Sequence, residues 1–313
     1  MPNGQSADKA DLQQANPRRR RRRGGGRVSE PSGPTVRRRR LGSELRGLRE
    51  RVGFDQARAA EHLECSTSKI SRLEKGQGLA KAIEIRSLLD LYGVTEEAER
   101  ETVLTLHRTA GELGWWEQAE FEEVMPTGLG VYVGLEYDAR SVQTWEIGFV
   151  PGLLQTADYA RAVLSAVPRS ADEIDRLVEV RNKRRSRLSL DREPLELWAV
   201  IDESVLRRPI GGPDVMRDQL KGLAESASQP NITVQVYPAD KDSHPGLRGS
   251  FSLLEFGPAD PRIGYVDSPA GNAFLEKDKQ VRSLVTTFDR LRVSAMEPEQ
   301  SAALLHELAA EEN

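Results

Sequence analysis

The sequence predicts a multidomain chain in which an all-α N-terminal domain is followed by an α+β C-terminal domain with a small, mainly antiparallel sheet. Residues 41–110 show apolar positions at helical spacing, with capping residues and glycines between the helices. A glycine-bounded, aperiodic stretch follows at 111–129, and beyond it strand-like alternation mixes with further helices. We therefore divide the 313 residues into an arm (1–36), a helical domain (37–110), a linker (111–129) and a second domain (130–313).

Charge is divided unevenly along the chain. The net charge is −4, but residues 1–81 hold 20 Lys plus Arg against 9 Asp plus Glu, a balance of +11. Residues 82–313 hold 25 against 40, a balance of −15. A basic first part joined to an acidic remainder indicates that the chain contacts nucleic acid at one end only.

The segment 1–36 is predicted to be a disordered, arginine-rich arm. Residues 18–23 are all arginine and residues 24–26 are all glycine, which is a low-complexity run with nothing to bury. Two interpretations stay open. The arm either binds DNA phosphates without sequence preference, or the arginine run is incidental.

Two helices are predicted after this arm. Leu41, Leu45 and Leu48 fall on one face of the first helix, which ends at Gly53. Asp55 is placed to cap the second helix, which runs from 56 to 63.

A third helix, 67–75, follows a short turn. Ser66 is placed to cap it, Gly76 ends it, and Ile70 and Leu73 face the core against the small Ala60 of the second helix. Its opposite face carries short hydroxyls, one ammonium and one guanidinium, which suit a helix lying in the major groove of DNA. The residues of this face are Thr67, Ser68, Lys69, Ser71 and Arg72. The pattern predicts a helix-turn-helix DNA-binding unit, and the alternative is a three-helix fragment whose polar face is merely solvated.

This unit resembles the Xre family of regulators, whose recognition helix commonly reads SxSKISRLE. Residues 66–74 read STSKISRLE, and the preceding TVRRRRLG at 35–42 resembles the lead-in of that family. Two positions depart from the pattern. Glu64 occupies a turn position where the family usually carries a left-handed glycine, at an expected cost of about 1–2 kcal/mol. Ala59 stands where a leucine is more frequent, so we expect an underfilled core.

These patterns predict which residues contact DNA. Gln56 is expected to contact a phosphate and to brace Thr67, and the outer face of the third helix is expected to reach base edges. The four arginines that lead into the first helix are expected to bind backbone phosphates. The predicted set is Gln56, Ser66, Thr67, Ser68, Lys69, Ser71, Arg72, Lys75, Arg37, Arg38, Arg39 and Arg40.

Two more helices complete a five-helix domain. One covers 80–92, and the other extends from a Thr95 cap to about residue 110. The linker that follows holds Trp115 and Trp116. These two side chains form either a ligand platform or an interdomain contact, and the second interpretation is favoured because buried tryptophans commonly close such contacts.

The second domain mixes the two kinds of secondary structure. Residues 132–145 are predicted to be helical or mixed. Helices are predicted at 157–166, 172–190, 214–226, 277–295 and 298–310. Strands are predicted at 195–201, 232–237, 250–256 and 263–266. The combination indicates an α+β domain around a largely antiparallel sheet.

Three segments of this domain, 145–156, 207–212 and 231–236, carry a second resemblance. They are similar to hallmarks of actinobacterial Xre-type regulators with a C-terminal antitoxin-like domain, and the similarity spans about residues 35–308. The resemblance implies pairing with a small neighbour-encoded protein, in arrangements similar to toxin–antitoxin pairs.

One group in the second domain looks catalytic. His244 adjoins Ser243, and Asp202 and Glu203 lie at a strand end. No glycine-flanked nucleophile and no phosphate-binding glycine loop accompanies them, and the other three histidines lack metal-ligand spacing. The single cysteine excludes an intrachain disulfide. We therefore expect that the protein is not an enzyme and that it binds neither a cofactor nor a metal ion.

The sequence thus predicts a cytoplasmic transcriptional regulator, nucleoid-associated when bound, that acts as a homodimer on double-stranded DNA. Its second domain is expected to bind a partner protein or a small effector. The alternative is an antitoxin-like interaction protein that neutralises a small neighbour-encoded partner and autoregulates its operon. No apolar run approaches the roughly 18 residues of a membrane span, so no membrane association is expected.

Overall fold

The computed structural model describes residues 36–112, 114–191, 193–241, 243–257, 260–268 and 271–311. These residues belong to one compact unit. The predicted arm lies outside the described residues except for its last position.

Five helices form the N-terminal domain, in the predicted order. They are α1 (Val36–Arg51), α2 (Gln56–His62), α3 (Thr67–Glu74), α4 (Ala82–Leu91) and α5 (Glu97–Ala110). The start of α1 lies before Leu41 because arginine is a good helix former and the arginines 37–40 continue the helix. The predicted Thr95 cap is wrong, since Glu96 occupies the cap position of α5 and its side chain makes no capping hydrogen bond.

Apolar side chains at helical spacing fill the core of this domain, as predicted. The buried residues include Leu41, Leu45, Leu48, Ala59, Ala60, Ile70, Leu73, Ile85, Leu88, Leu89 and Val103. Helix α1 crosses the end of α3 at backbone contact distance. A Cβ atom on Gly42 would lie 2.5 Å from the carbonyl oxygen of Glu74, and one on Gly76 would lie 2.6 Å from the amide nitrogen of Arg39. The two glycines therefore permit this close crossing.

The turn between α2 and α3 is strained at Glu64, as the sequence predicts. Glu64 has a φ of 49°, in the left-handed region that glycine adopts without steric cost. We expect Glu64→Gly to raise the free energy of unfolding by about 1 kcal/mol, because it removes the clash between Cβ and the following carbonyl. Thermal unfolding measures the change as a rise in Tm.

A matched control for this substitution lies in the same helix-turn-helix. Glu61 is exposed on α2 and has helical backbone angles, so Glu61→Gly is expected to lower the stability by about 0.5–1 kcal/mol. If both glycine substitutions destabilise the protein equally, the left-handed turn is not a source of strain.

The second domain begins with short helical turns and continues as an alternation of helices and strands. The first elements are a 3-10 turn (Trp115–Glu117), α6 (Ala119–Glu122) and α7 (Leu129–Asp138). The strands are β1 (Ser141–Glu146), β2 (Glu196–Asp202), β3 (Ile232–Tyr237), β4 (Phe251–Glu255), β5 (Ile263–Val266) and β6 (Ala273–Leu275). The remaining helices are α8 (Ala157–Leu164), α9 (Ala171–Arg185), α10 (Glu203–Leu206), α11 (Pro213–Ala227), α12 (Asp278–Ser294) and α13 (Pro298–Glu311).

The six strands form one mixed sheet in the order β3-β2-β1-β4-β5-β6. β1, β2 and β3 are parallel and are joined by helical crossovers, whereas β4, β5 and β6 add antiparallel pairings on the other side of β1. The α+β class is confirmed, and three of the five pairings are antiparallel. The predicted helical or mixed segment 132–145 is the end of α7 followed by the central strand β1.

Helices cover both faces of this sheet. One face packs Val142, Ala199 and Val234 against α11 and α13. The other face packs Trp145 and Phe251 against α12, in a cluster that includes Phe288 and Leu291. Because helices cover both faces, β2 and β3 read as nearly continuous apolar runs, whereas four of the six residues of β1 are polar.

Candidate nucleic-acid interface

Two capped helices and a short turn hold α3 in place. The side chain of Asp55 accepts a hydrogen bond of 2.8 Å from the amide of Arg58 at the start of α2. The side chain of Ser66 accepts one of 3.2 Å from the amide of Lys69 at the start of α3. Both predicted caps are confirmed, and each satisfies an otherwise unpaired amide of a helix N-terminus. Helix α3 is therefore fixed at its N-terminal end.

The face of α3 that points away from the core is polar and open to solvent. Ser66, Thr67, Ser68, Arg72 and Lys75 are exposed, and Ser71 is half-buried. Lys75 follows the last residue of α3 instead of lying within it. The surface combines hydroxyl donors and acceptors with cations, which are the groups that hydrogen-bond to base edges and phosphates.

Two of the residues predicted to contact DNA hold other partners. Lys69 forms an ion pair with Glu84 of α4, and its hydrogen bond lowers the pKa of that carboxyl. Gln56 is half-buried, and its amide donates a hydrogen bond of 2.8 Å to Glu74. The structure thus places the Gln56 amide against Glu74 at the C-terminal end of α3, whereas it was predicted to brace Thr67 at the N-terminal end. Lys69 must leave Glu84 before it can contact a base edge.

A buried ion pair ties α1 to the end of α3, and the sequence patterns did not reveal it. Arg49 donates from Nε and Nη2 to the two carboxylate oxygens of Glu74, at 2.6 and 3.0 Å. Its Nη1 also donates to the carbonyl of Phe54, at 2.6 Å. The hydrogen bond with Glu74 raises the pKa of Arg49. With Gln56 as a further donor, the Glu74 carboxylate is satisfied on both oxygens and fixes the angle between the two helices.

Of the four arginines predicted to bind phosphates, Arg37, Arg38 and Arg39 form ion pairs with carboxylates of the chain itself. Arg37 pairs with Asp138 at 3.1 Å and with Glu112 at 3.4 Å. Arg38 donates to the carbonyl of Ala110 and pairs with Glu117.

The other two arginines of this run differ from each other. Arg39 pairs with Glu276 at 2.9 Å, and Arg40 is exposed. The start of α1 therefore contacts the linker and the second domain, and phosphate binding by these arginines stays a prediction.

The tryptophans of the linker close a contact between segments. Trp116 is buried against α7, where a Cβ atom on Gly134 would lie 3.0 Å from its indole nitrogen, and its ring stacks at a tilt on Tyr137. Trp115 meets the Trp116 and Phe121 rings edge to face. These ring contacts lie within the linker and the second domain, so the interdomain interpretation stays a prediction.

The residues that look catalytic in the sequence form no hydrogen bonds with one another among the described contacts. The His244 ring lies against Tyr237 and Trp145, with centroids 4.4 and 5.3 Å away. Asp202 instead caps α10, and Glu203 accepts from the amide of Ala239 and from Arg207. Among the described residues, no group of three His, Cys, Asp or Glu side chains is placed to hold a metal ion. In the same part of the chain, no helix has both the length and the apolar character of a membrane span.

One carboxyl of the second domain titrates near neutral pH. Burial raises the pKa of Glu146, at the end of β1, from its ordinary value near 4.5 to about 7, although hydrogen bonds from Ser250 and Thr144 partly oppose the rise. A carboxyl whose pKa is raised in the folded state stabilises the fold below the unfolded pKa, and this contribution is lost as pH rises through 7. Stability should fall by about 1 kcal/mol between pH 6 and 8 from this group alone.

The substitution Glu146→Gln tests this contribution. We expect the free energy of unfolding, measured in urea, to change less between pH 6 and pH 8 in the variant than in the unsubstituted protein, because glutamine cannot ionise. Glu225→Gln, at an exposed position of α11, is the control and should keep the original difference. An unchanged pH dependence in Glu146→Gln would contradict the assignment.

Comparisons with known families support the two-part organisation. The family described as a helix-turn-helix domain matches residues 40–103, which cover α2, α3 and most of the N-terminal domain. The family described as a domain of unknown function (DUF5753) matches residues 129–307, more than half of the chain. No curated protein and no solved structure matches the chain. The first match confirms a helix-turn-helix of the kind found in DNA-binding regulators, whereas neither match bears on an antitoxin role.

Proposed function

The chain belongs to the DUF5753 family and carries a helix-turn-helix domain ahead of the family domain, and we propose that it is a sequence-specific transcriptional regulator. In this proposal α3 enters the major groove, and Thr67, Ser68, Lys69 and Arg72 read base edges. The observation that carries the proposal is the exposed polar face of α3, in a unit whose two helices α2 and α3 are both capped at their starts. The similarity of residues 66–74 to the Xre recognition helix supports the same role.

We propose further that the regulator binds DNA as a homodimer. A single helix of this length contacts few base pairs, so helix-turn-helix proteins commonly gain affinity and specificity from two half-sites about 34 Å apart. The operator is then expected to be a near-palindrome with half-site centres about 10 base pairs apart or a multiple of that spacing.

The second domain acts in this proposal as a binding domain that controls the first, and not as an enzyme. The ion pairs of Arg37 with Asp138 and of Arg39 with Glu276 connect α1 directly to it. A partner protein or effector that binds the second domain near these ion pairs would therefore act on α1, the helix that packs against α3. Asp202 and Glu203 are hydrogen-bonded to backbone amides and not to His244, which supports a binding role over catalysis.

The test is a binding titration of the chain, measured by fluorescence anisotropy over a salt series, with the DNA upstream of its own gene and a scrambled version of it. The proposal predicts tighter binding to the native sequence at every salt concentration, with an affinity that falls as salt rises. Equal affinity for many unrelated sequences, including all DNA flanking its gene, would contradict sequence-specific regulation. The salt slope separately reports the number of phosphates contacted.

A further inference from the structure

A cleft of about 520 Å³ lies between the two domains, beside the end of α3. One wall comes from α1, with Arg39, Arg40 and Arg46, and from Lys75 at the end of α3. The other wall comes from the second domain, where residues 260–263, including Arg262, lead into β5. The volume lies within the range of sites that hold small molecules.

Positive charge dominates the lining. Five cations surround the cleft against three carboxylates, and one of these, Glu74, is already neutralised by Arg49. Within the described part of the chain, neither Arg40 nor Lys75 forms an ion pair, and both are exposed. An anion that enters the cleft therefore meets two exposed cations that are not ion-paired to any of the described carboxylates.

Two of the other three cations of the cleft, Arg39 and Arg262, have partners that an anion can replace. Arg39 uses one nitrogen on Glu276, which is 54% exposed, and among the described residues its Nε–H has no acceptor. Arg262 pairs at 3.0 Å with Glu255, and both side chains are well exposed. Surface pairs of this kind contribute little energy, so exchange for a more highly charged anion is favourable.

Apolar side chains also line the cleft. They are Phe256, Pro261 and Ile263, in the same part of the second domain as Arg262. A site that combines apolar contacts with guanidinium groups suits a ligand that carries both a ring and an anionic end. Guanidinium groups bind phosphate through two parallel hydrogen bonds, which makes phosphate the best matched anion.

We propose that this cleft binds a phosphate-bearing ligand, with Arg40 and Arg262 contacting phosphate oxygens from opposite walls. The ligand would bridge α1 and the second domain and compete with Glu276 for Arg39. Where the proposed regulatory function holds, its binding changes how the helix-turn-helix domain is held, and this consequence rests on that function. Binding itself does not depend on it.

Isothermal titration calorimetry of the full chain, without DNA, tests the site with pyrophosphate and ATP as separate probes. We expect saturable binding, and we expect Arg262→Ala and Arg40→Ala each to weaken it roughly ten-fold or more, as loss of a hydrogen-bonded charge does. Arg282→Ala is the matched control, since Arg282 also forms an exposed pair, with Asp278 on α12, away from the cleft. The Arg282→Ala variant should bind both probes with the same affinity as the unsubstituted protein.

A second experiment distinguishes binding of a free phosphate-bearing ligand from binding of a DNA backbone phosphate. If neither probe binds, but Arg262→Ala lowers the salt slope of DNA binding by about one phosphate while Arg282→Ala does not, the phosphate in the cleft belongs to DNA. The proposal is overturned if neither probe binds and the slope is unchanged. It is equally overturned if the probes bind with the same affinity in Arg40→Ala and Arg262→Ala as in the original chain.

Discussion

Replacing Arg49 by alanine is expected to lower the free energy of unfolding of the helix-turn-helix domain by about 3–5 kcal/mol. The guanidinium is 8% exposed and the carboxylate of Glu74 is 3% exposed, so the substitution leaves a buried charge without its cation. Gln56 alone cannot compensate, since it provides a neutral donor to one oxygen. The loss is measured by chemical unfolding followed by circular dichroism.

Arg46→Ala is the matched control for this prediction. Arg46 lies one turn earlier on α1 and pairs with Glu50 on the surface, so its removal should change stability by less than about 1 kcal/mol. A second readout is DNA affinity under conditions where Arg49→Ala remains folded, because a changed angle between α1 and α3 weakens binding. A loss no larger than that of Arg46→Ala would show that the buried pair does not fix α3.

The double substitution Lys69→Ala/Arg72→Ala is expected to abolish the preference for the operator over scrambled DNA. A base-reading side chain commonly contributes about 1–3 kcal/mol of discrimination, so two such losses amount to roughly 100-fold or more in affinity ratio. Both side chains lie on the face of α3 that points away from the core, and Lys69 is restrained by Glu84. The ratio of the two affinities is the quantity to measure.

Loss of two positive charges also weakens binding to any DNA, and a charge-matched control separates the two effects. Lys221→Ala/Arg282→Ala removes two exposed cations from α11 and α12. This control should leave the ratio of operator to scrambled affinity unchanged. If the α3 variant lowers both affinities by the same factor, these residues contact phosphates and do not read bases.

The α2–turn–α3 unit could be predicted because its signals are local. Asp55 and Ser66 cap helices within three residues of their partners, and the strain at Glu64 follows from one position in a short turn. The strands β2 to β5 were predictable for the same reason, because each is a short apolar run between turn residues. Such features need no knowledge of the rest of the chain.

The features that escaped prediction depend on residues far apart in sequence. Arg49 and Glu74 are 25 positions apart, and Arg37 and Asp138 are 101 apart. Solvated arginines and paired arginines look alike in a sequence, so the arginines at the start of α1 were expected to bind DNA phosphates, and their pairing with carboxylates of the chain was not predicted. Only two residues separate the strand β1 from α7, and four of the six residues of β1 are polar, so it lacks the apolar run that marks a buried strand.

Sequence selection from a random DNA pool, with the full chain as bait, tests the central claim most directly. We expect enrichment of a recurring sequence with two related half-sites, and we expect Arg72→Ala to relax the preference at one position of each half-site. A pool that shows no enriched sequence after repeated selection, while binding remains salt-dependent, would contradict a role in sequence-specific regulation.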